Sequence, residues 1–235
     1  MATGYDNIGK GGIVKEGIFV RFPELIPACD DEIFWSSENH SRLLIVAESN
    51  YFEDEAESVY KSVFKNPEAW YQGEDRQHLI PITGKEPEEY KVKVSNFISY
   101  RTINKLCKPM KEVSGLNCNP IYKEAMFYNY FLRPATKQVN GKRGFVNDCK
   151  QLDRIVAGTA LCGIIDLVNP DIVIFVSKYA YDEFKKYAES VGYEYNPEKI
   201  NFVCHPASFG PNGWYYSKDG KQKFERLLRE YWIKK

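Results

Sequence analysis

The chain carries no surplus of either charge: 32 Lys and Arg stand against 32 Asp and Glu in 235 residues. No bulk positive field draws in nucleic acid, so a polyanionic partner has to be met by a local patch. The densest basic run is the tail, with Lys218, Lys221, Lys223, Arg226, Arg229, Lys234 and Lys235. A solvated amphipathic helix explains that run equally well. Six cysteines (29, 107, 118, 149, 162 and 204) include no Cys-x-x-Cys pair, and no histidine sits at a zinc-finger offset from any of them. Structural zinc is therefore not expected, and free thiols in a reducing compartment are. Neither Gly-x-Gly-x-x-Gly nor a P-loop is present, which leaves dinucleotide and nucleoside triphosphate chemistry without its usual cradle. There is no early apolar run of signal-peptide length and no apolar stretch of ~20 residues. The sequence reads as cytoplasmic, with no membrane partner.

Aromatic residues are plentiful instead, at 15% with 17 Tyr and 14 Phe. They serve either a Tyr-rich core and surface or a cleft offering flat rings to a planar ligand. Four short apolar runs punctuate the chain: RLLIVA at 42–47, AMFYNYFL at 125–132, DIVIFV at 171–176 and KINFVC at 199–204. Each is short and continuous, as a strand buried on both faces should be. Between them lie segments of helical spacing at 53–64, 94–110, 148–168 and 180–191, with a last one at 219–232. Arg133-Pro134 ends the second strand in this reading, and 66–90 is a polar excursion rich in Pro and Gly. Alternating strands and helices predict a three-layer α/β/α sandwich around a central, mainly parallel four-stranded sheet. Residues 1–235 read as a single domain, with 1–40 an N-terminal arm packed on it.

Ligands of such sheets bind beyond the carboxyl ends of the strands, where the strand order reverses. The residues following each apolar run are therefore the candidates: Glu48 to Phe52, Asn129 to Pro134, Ser177-Lys178, and His205 to Asn212. His205 is one of only three histidines and is followed by a stiffening proline. A histidine so placed suits proton transfer or donation to an anion. His40 and His78 fall in polar segments and have no such setting. Glu48 would stand between an apolar strand and a helix N-terminus, either as a tuned base or as an ordinary acid of a first helical turn. Asn129 inside an apolar strand needs partners for its amide, from backbone or from a ligand.

Four stretches taken in order resemble the uracil-DNA glycosylase superfamily over residues 43–230. LLIVAESNYFEDE at 43–55 is similar to its first motif, MFYNYFLRP at 126–134 to the strand whose Asn reads uracil, and residues 149–184 to a helix, Pro, strand and helix of the thermostable branch. CHPASFGPNG at 204–213 resembles its His-Pro-Ser motif. The resemblance implies flipping of a base out of single- or double-stranded DNA and hydrolysis of its N-glycosidic bond. It assigns His205 as donor to the anion forming on the leaving base and Glu48 as the residue that positions or activates water. It assigns Asn129 as base reader, Tyr51 as a pocket wall and Phe64 as a stacking ring, with Ser49, Asn50 and Ser208 lining the substrate.

Ser49 stands where the first motif has Asp, Asn50 where it has Pro, and Ala47 where it has Gly. Of the four cysteines that hold the thermostable branch's iron–sulfur cluster, Cys149 alone fits a position, so no cluster and no other cofactor is expected. The expected protein is a monomeric glycosylase for uracil or another deaminated or damaged base. The alternatives are a repurposed relative that binds nucleic acid or a nucleotide without cleaving it, and an unrelated doubly wound α/β enzyme.

Overall fold

The computed structural model describes residues 18–22, 25–27, 29–51, 67–72, 100–135, 146 and 149–234. Among them β1 is Leu43–Tyr51, β2 Met126–Ala135, β3 Ile172–Phe175 and β4 Ile200–Phe202. They form one sheet in the order β2-β1-β3-β4, and every pairing is parallel. The helices are α1 (Asp31–Ser36), α2 (Pro67–Gln72), α3 (Tyr100–Ser114), α4 (Gln151–Val168), α5 (Lys178–Val191) and α6 (Lys221–Leu227), the last continuing as a π-helical turn, Leu228–Trp232. The architecture is an α/β sandwich. None of the described helices is long and apolar enough to cross a membrane.

Alternation along the strands divides the core in two. Leu43, Ile45, Ala47, Phe127, Ile172 and Ile174 face α3, α6 and Trp232. Leu44, Val46, Met126, Tyr128, Val173 and Phe175 face α4, α5 and the N-terminal segment, whose Phe19 and Phe22 are fully buried. β1 lies at the centre and is apolar on both faces, as a strand covered by helices on each side must be.

Three boundaries differ from the sequence reading. β1 does not stop at Ala47 but runs on through Glu48, Ser49, Asn50 and Tyr51, with Tyr51 pairing Ala135 past an irregularity in register. β2 continues through Arg133 and Pro134 to Ala135. Pro134 is tolerated because β2 is an edge strand, where a missing N–H need not break a ladder. The polar excursion contains α2, which buries Trp70 and Tyr71; Trp70 stacks on Phe22 with ring centroids 4.5 Å apart. The helix predicted over 53–64 lies outside the described residues.

Arg133, at the end of β2, is fully buried and forms two bonds to Asp153 in the first turn of α4, Nε to Oδ1 at 2.8 Å and Nη2 to Oδ2 at 2.6 Å. Asp153 also accepts the Tyr71 hydroxyl at 2.8 Å and the Lys150 backbone N–H at 2.8 Å. A bidentate guanidinium–carboxylate pair with its remaining lone pairs satisfied is the arrangement in which buried charges are tolerable. Replacing Asp153 by Asn removes the carboxylate charge from this buried pair and should cost about 3–5 kcal/mol. Tyr71→Phe removes one hydrogen bond and should cost about 1 kcal/mol. Urea denaturation of the two variants measures both, and equal losses would contradict this ranking.

Candidate active site

The strand order reverses between β1 and β3. The chain enters β2, on one side of β1, from α3 on one face of the sheet, whereas after β3 it passes along the α5 face to β4 on the other side. The crevice in which open parallel sheets bind their ligands lies beyond the carboxyl ends of such a pair of strands. Glu48 comes to it from β1 and Ser177 from the end of β3. The Ser177 hydroxyl donates to Glu48 Oε2 at 2.7 Å, across the crevice. Ser177 Oγ in turn accepts the Ala180 backbone N–H at 3.3 Å and so caps α5. The Glu48 carboxylate is thus held at a helix N-terminus, where negative charge is favoured. That helix is α5.

His205 follows β4 in a tightly bonded loop. Cys204 N–H donates to the Asp219 carbonyl at 2.7 Å, Trp214 N–H to the Ser208 carbonyl at 3.2 Å, and Lys221 N–H to the Trp214 carbonyl at 2.7 Å. Trp214 is the loop's buried anchor, 1% exposed. Gly210 has φ +80°, a conformation that side chains disfavour, and at Gly213 a Cβ would fall 2.6 Å from the Phe209 carbonyl carbon. Both glycines are required by the path of the chain.

Within this loop the Ala207 backbone N–H donates to His205 Nδ1 at 3.1 Å. Nδ1 is thereby an acceptor, and the proton of the neutral ring must sit on Nε2. Crowding of the ring by protein lowers the His205 pKa from its ordinary value; Glu48's charge opposes that shift, and Lys105 of α3 adds to it. His205 is nonetheless exposed to solvent. Glu48, His205 and Lys105 therefore share one electrostatic neighbourhood, although they come from β1, the loop after β4 and α3. The imidazole is held as a neutral Nε2–H donor.

The other sequence candidates fall out as follows. Asn129 is buried in β2 and paired in register with Ala47, one residue before Glu48. Ser49 is 7% exposed, and its hydroxyl has no hydrogen-bond partner among the described residues. Asn50 and Tyr51 are strand residues, not the loop residues expected. The Ser208 hydroxyl donates to the His205 carbonyl at 2.5 Å, so it shapes the loop from within. Phe64 and His78 lie outside the described residues.

His40, read as part of a polar segment, is instead buried. Its Nε2 lies 3.1 Å from Glu124 Oε2, and its ring is tilted against Trp232 at 5.1 Å. Ser177 stands among the residues that follow the third apolar run, whereas Lys105 falls outside all the candidate stretches singled out in the sequence. The signal that would have found Lys105 is its place early in a helix that follows a strand, at the same carboxyl edge as the strand ends.

No protein-family model matches the chain, and no curated protein matches it.

The charge arrangement fixes the sign of two shifts. Lys105→Gln should raise the His205 pKa, and Glu48→Gln should lower it further. Histidine titration followed by NMR reads both, and movement of either in the opposite direction would refute the shared neighbourhood.

Proposed function

We propose that the chain is a DNA glycosylase-like hydrolase that cleaves the N-glycosidic bond of uracil or another deaminated or damaged base. The observation that carries this reading is the Ala207 N–H bond to His205 Nδ1, which leaves the proton of the neutral imidazole on Nε2, free to be donated to a ligand. When the C1′–N bond breaks, its electron pair passes to the leaving base and the sugar becomes oxocarbenium-like. A donor aimed at the base oxygen then strengthens as charge grows on it, which is the condition for accelerating the step. A neutral donor suits this work, because its interaction is weak with the uncharged ground state.

Glu48, held by Ser177 beside the same ring, is the carboxylate that stabilises the cationic sugar and orients the attacking water. Asn129 presents a carboxamide that can donate and accept, as reading a uracil edge requires. The four sequence stretches resembling the glycosylase superfamily bring these same residues forward in the same order.

A second reading, binding without cleavage, is favoured by one observation. Glu48 Oε2 already accepts the Ser177 hydroxyl, and Ser49 occupies the place of the motif's acid. Base release from oligonucleotides containing uracil, hypoxanthine or xanthine separates the two. Cleavage should fall about 10²–10³-fold in His205→Ala. It should persist in the wild type as pH drops through the ordinary imidazole range, because a depressed pKa keeps His205 neutral to lower pH. Release unaffected by His205→Ala removes the mechanism, and absence of release with oligonucleotide binding intact selects the second reading.

A further inference from the structure

The loop that carries His205 also displays the largest exposed aromatic surface among the described residues. Phe209 is 78% exposed, Tyr216 79% and Tyr215 57%. Solvent-facing rings on a loop this tightly bonded are held in place at a hydration cost, which marks them as a contact surface. Lys105 reaches this surface from α3. Its Nζ lies 4.7 Å from the Phe209 ring centroid and 5.4 Å from that of Tyr215, so one ammonium is shared by two rings. No ion pair to Lys105 occurs among the described residues, whereas the nearest acid on the same helix, Glu112, is taken by Lys108 and Lys221. Lys218, just beyond the rings, is exposed.

We infer that Lys105, Phe209 and Tyr215 form a clamp for single-stranded nucleic acid, in which the ammonium holds a backbone phosphate and the rings stack on unpaired bases next to the site at His205. The occupant is argued from three features of the patch. Its charge is positive and local on a chain of zero formal net charge, which matches a polyanion met at short range rather than steered from afar. Its rings offer faces, and only an unpaired base has a face to give in return, since bases in a duplex are already stacked. Its position beside His205 places the flanking nucleotides of a strand whose target base lies in the crevice. The inference rests on the proposed reading for the choice of nucleic acid as partner, but it does not require that a bond be cleaved.

Fluorescence anisotropy with an unmodified labelled 12-mer, single-stranded and as duplex, tests it on the full chain. The single strand should bind more tightly than the duplex. Lys105→Gln should weaken binding and reduce the dependence of log Kd on log salt by about 0.7, the loss of one phosphate contact on a single strand. Phe209→Ala and Tyr215→Ala should each weaken binding by roughly five- to a hundredfold, as loss of a stacking platform does. Lys234→Gln, at the far end of the chain, should bind as the wild type does, and thermal melts of each variant check folding.

Preference for duplex, or single-strand binding equal to wild type in folded Lys105→Gln and Phe209→Ala, would overturn the clamp. So would failure of any oligonucleotide to bind together with self-association lost in Phe209→Ala, which would make the patch a protein interface. Base release measured on the same variants keeps the two proposals apart. Strand binding that depends on Lys105 without any base release supports the clamp and refutes the glycosylase reading. Base release that depends on His205, with binding indifferent to Lys105, does the reverse.

Discussion

The buried pair of Arg133 and Asp153 holds the edge of the sheet to the helix layer, and the geometry of β2 depends on it. Arg133 sits at the end of an edge strand that has a neighbour on one side only, and Asp153 opens the long helix that carries the chain back over the sheet to β3. The pair adds to the β1 ladder in defining the last residues of β2, and that ladder is irregular between Ser49 and Tyr51. Tyr71 closes the network from a third element, so one carboxylate positions a strand end, a helix start and the short helix α2. A network of this kind is worth little as net stability compared with an apolar replacement, but it tolerates only one arrangement of its members.

Upon that frame the crevice is assembled by charge as much as by packing. Glu48 and Ser177 bond across the reversal in strand order, and His205 approaches from the next strand out. Adjacent strands lie about 4.8 Å apart, so ends separated by one strand are close enough for their charges to be felt. A carboxylate and an ammonium thus act on one imidazole with opposite sign, while a backbone N–H decides which nitrogen of the neutral ring carries its proton.

Most of the sheet was legible because its strands are short, apolar on both faces and separated by segments of helical spacing. The failures are equally physical. Glu48 to Tyr51 looked like a loop because polar residues followed an apolar run, yet the backbone ladder is indifferent to side-chain polarity at a strand end that borders a cleft. Pro134 looked like a terminator because the sequence does not reveal which strand is at the edge. Trp70 and Tyr71 were hidden in a stretch rich in turn residues, and His40 in a polar one, since burial of either depends on partners far away in the chain. At the site, His205, Glu48 and Asn129 came from position relative to strands. Lys105 escaped because its importance arises from rings that are more than a hundred residues distant.

The central place of β1 has a consequence for how the chain is made. It is the first strand synthesised, but its neighbours are β2, more than seventy residues later, and β3, later still. The segment just before it is closed by an isolated bridge between His40 and Ile233 and by the Ser41 N–H bonded to the Trp232 carbonyl. A nascent chain therefore carries an apolar strand whose one edge waits for β2 and whose other edge waits for β3, a topology rich in distant contacts and slow to close. The middle of the finished molecule is made early and must wait for both of its neighbours.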